Sequence, residues 1–345
     1  MPRVSRRHLV EVFSHRLPDF PRGLAFSPDA GWLAVGSADG TLRVLKTASG
    51  ALALELKLPD SVSAVAFNPV GAQLAVACLD GTTRLCSREG AGWVTGPVLP
   101  AGTRAWVEHL AWSSKGVLAT AAGKRVRLWT AAGSPLLETE AHESTVTGVA
   151  FSRDGGRLFT SSYGGVRVWP LEAHVEARHL AWKGSLIALA VSPDDAVVAC
   201  ASQDCSVHFW RLESGEDSEM SGYPAKPAAL AWSADSAVLA TGGSNVICCW
   251  GFEKGGPEGK KPMLLKGHEG LVTRLAFVPD ERLLASAGED RDVLLWSLSE
   301  GLKPVGLCPM GAAVTELAFS PDGAFLAAAD ATGHLEVWTP TKERP

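Results

Sequence analysis

Hydrophobic positions along this chain come in short runs separated by turn residues. A representative stretch is 265–296, LKGHEGLVTRLAFVPDERLLASAGEDRDVLLW. An apolar run from Leu271 to Val278 gives way to a Pro-Asp turn and a second run from Leu283 to Gly288. An acidic turn then leads to a third run ending at Trp296. Apolar runs of strand length, broken by Pro, Gly and Asp, predict antiparallel sheet. One such unit cannot bury both of its faces, so the pattern has to recur for the chain to fold.

It recurs along the whole chain. Aligned on one position of the first strand, the copies place Phe26, Phe67, Trp112, Phe151, Val191, Trp232, Phe277 and Phe319 in register, at spacings of 41, 45, 39, 40, 41, 45 and 42 residues. The segment around that position reads LAFS, VAFN, LAWS, VAFS, LAVS, LAWS, LAFV and LAFS. Each copy closes on a third strand. Six of them end at Trp (Trp129, Trp169, Trp210, Trp250, Trp296, Trp338) and two at Leu45 and Cys86. A period of about 40–45 residues with this pattern is that of propeller blades, each a four-stranded antiparallel sheet.

On these residues the chain resembles the WD40-repeat β-propellers over nearly all of its length. In that family a His after Gly, a Ser or Thr on the second strand, an Asp in the next turn and the closing Trp form a hydrogen-bonded tetrad. The seventh copy matches at all four positions, His268, Ser286, Asp290 and Trp296. The fourth keeps His142, Thr160 and Trp169, and the first keeps Asp39 but lacks the Trp. The expected fold is therefore all-β, an eight-bladed propeller of four-stranded antiparallel blades forming one domain over residues 1–345. The alternative is seven blades. It would need one copy to be irregular, with the first two, which lack Trp, as the candidates.

An N-terminal strand is expected to close the ring. Residues 8–13 (HLVEVF) have the strand pattern yet precede the first copy, and only TPTKERP follows Trp338. Placing 8–13 as the outer strand of the last blade removes an exposed seam. Further outer strands are expected at 51–58, 134–140 and 262–267. The Gly/Pro-rich connectors 87–106 and 251–262 are expected to be loops. The second carries Lys254, Lys260 and Lys261, either a small basic patch or an ordinary solvated loop.

Composition narrows the functional classes. A net charge of −5 gives no general attraction to nucleic acid or anionic lipid. The seven cysteines include no CxxC, and Cys78, Cys86, Cys200, Cys248 and Cys249 lie in strand patterns as small hydrophobes. The N-terminal MPRVSRRHLVEVF has no apolar h-region, and no apolar run approaches about 18 residues, so a soluble cytoplasmic protein is expected. No GxSxG, HExxH or phosphate-binding loop occurs, the nine His are scattered, and Asp194–Asp195 sits in a turn that favours Asp. No enzyme activity, cofactor or metal is expected.

What remains is surface. WD40 propellers use the face built from the loops entering the innermost strands and from the turns between second and third strands. Six residues before the aligned position stand Phe20, Ser61, Trp106, Thr145, Ser185, Lys226, Leu271 and Ala313. The turns supply Tyr163, Gln203 and Glu289. Trp106, beside Arg104, is not needed by the repeat, because Trp112 already fills the strand slot. It is either an interface anchor or a residue folded over its own loop. Phe20 and Leu271 are candidates for contact or for packing, and Lys226 for contact or solvation. Arg22 and Arg274 lie near the channel mouth, where they would favour an acidic partner. The expectation is a scaffold that binds a protein or peptide on this face: a ring monomeric by itself, part of a larger complex, and binding neither nucleic acid nor membrane. Its rivals are a channel-based enzyme or small-ligand binder, and an ancillary domain that positions a separate catalytic subunit.

Overall fold

A computed structural model describes residues 7–90, 92–102, 105–172, 175–253, 255–279 and 281–342. Among them are 30 strands and no helix, so no helix is present that could cross a membrane. The first strand, β1 (Arg7–Arg16), precedes the sheet of the first repeat, which is β2 (Pro21–Phe26), β3 (Trp32–Ser37), β4 (Thr41–Lys46) and β5 (Leu52–Lys57). The second has β6 (Val62–Phe67), β7 (Gln73–Cys78), β8 (Thr82–Glu89) and β9 (Gly92–Pro100). The third has β10 (Val107–Trp112), β11 (Leu118–Ala122), β12 (Arg125–Trp129) and β13 (Pro135–Glu138). Then come β14 (Gly148–Phe151), β15 (Arg157–Pro170), β16 (Arg178–Val191), β17 (Val197–Ser202), β18 (Val207–Arg211) and β19 (Asp217–Met220). The sixth repeat has β20 (Ala229–Trp232), β21 (Val238–Gly242), β22 (Val246–Gly251) and β23 (Met263–Lys266). The seventh has β24 (Val272–Phe277), β25 (Leu283–Gly288), β26 (Asp292–Ser297) and β27 (Pro304–Pro309). The last has β28 (Val314–Phe319), β29 (Leu326–Asp330) and β30 (His334–Lys342).

The expectation of eight separate four-stranded blades is corrected, because the strands join into seven sheets. Six have four strands. The seventh has six, in the order β14-β15-β16-β17-β18-β19, and takes in both the fourth and the fifth repeats. Counted by its sheets the ring has seven blades, one of them built from two repeats. The irregular copies are not the first two, whose sheets are regular in the orders β2-β3-β4-β5 and β6-β7-β8-β9. The cause lies in β15 and β16, each 14 residues long. They stay extended through Tyr163–Gly165 and Lys183–Ser185, where Tyr163 pairs with Ser185. Gly165 has φ +129, and a Cβ there would lie 2.1 Å from the Leu180 carbonyl oxygen, so this close approach requires glycine.

The innermost strands β2, β6, β10, β14, the second half of β16, β20, β24 and β28 are successive neighbours, and β28 meets β2. The residue before each aligned position is Ala (Ala25, Ala66, Ala111, Ala150, Ala190, Ala231, Ala276, Ala318), which lets these strands converge on the axis. The apolar core lies between successive sheets, as in the cluster that joins Ala285, Val293, Leu295, Val314, Leu326 and Trp338. β1 occupies the outer position of the last sheet, pairing from Arg7↔Lys342 to Arg16↔His334 with one bulge between Glu11 and Phe13.

The 87–106 connector is not a loop throughout, contrary to its Gly/Pro content. β8 and β9 form a hairpin through it, with Arg88 opposite Trp93. Trp93 packs edge-on against Trp32 at 6.0 Å and Phe67 at 5.7 Å. These rings fill the space between the first two repeats, where neither repeat has a closing Trp. Burial of Trp93 is what draws the connector into the sheet.

Candidate functional site

Equivalent positions of neighbouring innermost strands lie side by side. Ser63 Oγ donates to the Val107 carbonyl at 2.5 Å, Thr273 Oγ1 to that of Val314 at 2.8 Å, and Arg274 Nη2 lies 3.4 Å from Glu316 Oε1. These strands therefore run in the same direction, and the loops that enter them gather on one face, the upper face below. The turns between second and third strands reach the same face through a recurring bond. The carbonyl six residues before the aligned position accepts an N–H from the turn, as in Ala38 to Phe20 (2.8 Å), Leu79 to Ser61 (2.9 Å) and Gln203 to Ser185 (2.9 Å). Glu289 to Leu271 (2.9 Å) and Ala331 to Ala313 (2.8 Å) repeat it. The two sets of positions singled out in the sequence are thus hydrogen-bonded neighbours at Gln203–Ser185 and Glu289–Leu271.

On this face Trp106 is 58% exposed, Tyr163 48%, Leu271 42% and Phe20 38%. Gln203, Lys226 and Glu289 are exposed as well. Lys226 Nζ donates to Gln203 Oε1 at 3.3 Å, tying the fifth repeat to the sixth. Ser61 is buried. Arg104 lies outside the described residues, as does Lys254 of the basic patch.

The two channel-mouth arginines are not equivalent. Arg22 is exposed and its Nη1 reaches Ser61 Oγ at 3.5 Å. Arg274 is committed to Glu316, which also accepts the Gly23 N–H at 3.2 Å. Burial pushes the Glu316 carboxyl up, against the pull of Arg274. This pairing reduces the positive field with which Arg274 would attract an acidic partner.

Behind the face, the seventh repeat carries a continuous polar chain. Trp296 Nε1 donates to Ser286 Oγ at 2.8 Å, and Ser286 lies 2.7 Å from His268 Nε2. His268 Nδ1 lies 2.8 Å from Asp290 Oδ2. The carboxylate fixes the proton on Nδ1, leaving Nε2 to accept from the serine. Burial raises the Asp290 carboxyl, but the Glu269 amide and His268 together outweigh it and hold it below the usual range. The fourth repeat has the same bonds to Thr160, from Trp169 at 2.9 Å and with His142 at 2.7 Å. The Lys124 carbonyl, 3.0 Å from Nδ1, stands where an Asp would.

Reading the sequence for His alone missed a wider rule. His268 and His142 both stand nine residues before the aligned position, and that position holds Tyr223 in the sixth repeat. Trp250 Nε1 donates to Tyr223 OH at 2.7 Å, and the hydroxyl lies 2.8 Å from Thr241 Oγ1. In the fifth repeat it holds Trp182, stacked on buried His208 at 3.8 Å. Leu17, Leu58 and Met310 fill it elsewhere, all buried. The signal was present as a fixed spacing, filled by whichever side chain seals the space under the loop.

Among the described residues no group of three or more His, Cys, Asp or Glu could hold a metal ion. All seven cysteines are free, and Cys78, Cys86, Cys200 and Cys249 are buried. Burial pushes the Cys86 thiol up to about 11 and that of Cys249 to about 12, the opposite of nucleophile activation.

A ring of antiparallel sheets, with innermost strands running one way around an axis, defines a β-propeller. The chain matches the family described as WD domain, G-beta repeat (WD40) over residues 8–45, 54–87, 133–170, 176–211, 259–297 and 307–339, and it belongs to that family. It is 27% identical over 206 residues to the anaphase-promoting complex subunit cdc20 of Dictyostelium discoideum, covering 57% of this chain and 41% of that one. It is 29% identical over 197 residues to the target of rapamycin complex subunit wat1 of Schizosaccharomyces pombe, covering 54% and 62%. The chain thus spans about half the length of these relatives. In fold it is similar to the computationally designed Ika8 protein, with a TM-score of 0.78 at 20% identity over 97% of this chain and 99% of that one.

Proposed function

We propose that this protein is a non-enzymatic interaction scaffold that binds a protein or peptide through its upper face. The observation that carries the reading is the set of four large side chains exposed on one face, Phe20, Trp106 and Leu271 on its loops and Tyr163 on β15. Exposed aromatics on a rigid frame make favourable anchors, since few rotamers are lost on binding. Two relatives named as subunits of the anaphase-promoting and target of rapamycin complexes support the same class of role. The second line of support is chemical: the polar networks of the fourth, sixth and seventh repeats serve as internal struts, their Trp, His, Tyr and Ser or Thr groups already bonded to one another.

The test is co-purification from the native cell, comparing wild type with Trp106→Ala and with Phe20→Ala/Leu271→Ala. Circular dichroism would confirm that each variant is folded. Loss of an anchor is expected to cost about 2 kcal/mol or more, enough to remove a specifically bound partner. Full retention by both variants would refute the face assignment.

A further inference from the structure

The opposite end of the ring carries a second surface, at the lower ends of the innermost strands. A cleft of about 500 Å³ spans four successive repeats there. Its walls are the aligned residues Phe151, Val191, Trp232 and Phe277, with Pro193 and Pro279 from the turns that follow. That volume lies in the range of small-ligand sites, which are mostly apolar with a few placed polar groups.

The charged groups here are Arg153 and Asp195, and they are not equivalent. Asp195 takes the left-handed backbone at φ +59. Its carboxylate oxygens accept the Arg153 backbone N–H at 2.9 and 3.0 Å, and Arg157 Nη2 lies 3.7 Å away. The Arg153 carbonyl accepts from Ser114 Oγ at 2.8 Å. The backbone of Arg153 is therefore clamped by the third and fifth repeats, while its exposed guanidinium has no ion pair among the described residues. Asp195 already has a cation, Arg157, and a donor, the Arg153 N–H; the Arg153 guanidinium has charge to offer. An apolar lining and one guanidinium without an ion pair are complementary to a compact apolar body that ends in an anion. A carboxylate suits a guanidinium best, because the planar fork can donate two parallel hydrogen bonds to it.

We propose that this lower cleft binds a small aryl or alkyl monocarboxylate, its apolar part against Phe151, Trp232 and Phe277 and its carboxylate on Arg153. The site is separate from the upper face, so neither reading depends on the other.

The test is titration calorimetry of the full chain with 4-phenylbutyrate and decanoate, and with the matching neutral alcohols. Trp fluorescence is recorded in parallel, since Trp232 lines the wall. Saturable one-to-one binding is expected, at least tenfold weaker for the alcohols and for Arg153→Glu, a surface change compatible with folding. Ala234→Asp, which puts a negative charge on the cleft lining, is expected to weaken the acids likewise. Trp106→Ala should leave the affinity unchanged. The proposal is overturned if neither acid binds saturably, if Arg153→Glu binds as tightly as wild type, or if acid and alcohol bind equally.

Discussion

Ser286→Ala isolates the contribution of one buried polar chain. Ser286 is fully buried, and its hydroxyl serves two partners, accepting from Trp296 Nε1 at 2.8 Å and facing His268 Nε2 at 2.7 Å. Both partners are buried, and in the alanine variant neither has water to replace the hydroxyl. Leaving one buried group unpaired costs about 1–3 kcal/mol, so two should cost about 2–6 kcal/mol. Thr120→Val is the matched control. Thr120 Oγ1 accepts from Trp129 Nε1 at 3.0 Å, a single donor, so about 1–3 kcal/mol is expected. An unfolding entropy of about 2.1 cal/mol/K per residue makes each kcal/mol worth roughly 1.4 °C for a cooperative chain of this length. Thermal unfolding followed by circular dichroism should then show Tm lower by about 3–8 °C for Ser286→Ala and about 1.5–4 °C for Thr120→Val. A Ser286→Ala shift under about 1.5 °C, or one no larger than that of the control, would show that packing alone holds the repeat.

Two further outcomes follow from the same structure. Deleting residues 1–16 removes β1 and all its pairing with β30, exposing Val337 and the edge of the last sheet; Tm should fall by more than 5 °C, about 4 kcal/mol or more, and an unchanged Tm would show that β1 does not secure the ring. Burial holds His109, His142 and His208 below the ordinary value of 6.5, so below that pH the unfolded chain takes up protons that the folded one refuses. Stability present above pH 6.5 is thus lost as pH falls toward 5, whereas Glu316, pushed up from 4.5, acts with the opposite sign. Melting at pH 7.5 and 5.5 should show the loss, smaller in His142→Gln; equal slopes in the two proteins would count against His142.

Periodicity made the repeat visible because every copy must present an apolar strand pair at the same distance from the axis. Strand identity held even where signature residues were missing. Sheet membership was another matter. Nothing local in Tyr163-Gly164-Gly165 or Lys183-Gly184-Ser185 distinguishes a turn from a strand that continues, because the outcome rests on Tyr163 meeting Ser185 across sequence. The 87–100 hairpin was obscured in a similar way. Its glycines and prolines argue for a loop, and only contact with Trp32 and Phe67 gives Trp93 a place to be buried. On the upper face the spacing located the loops, but the engagement of Arg274 by Glu316 depends on two repeats lying side by side.

The pairing of Arg7 with Lys342 has a practical meaning for placing a label on this ring. Third strands descend from the upper face, so the paired positions 7 and 342 lie together at the lower rim, near the Arg7–Glu281 ion pair. A fluorophore on a cysteine introduced at His8 or Thr341, which pair across β1 and β30, would sit at the same corner. It would leave Phe20, Trp106 and Leu271 unobstructed.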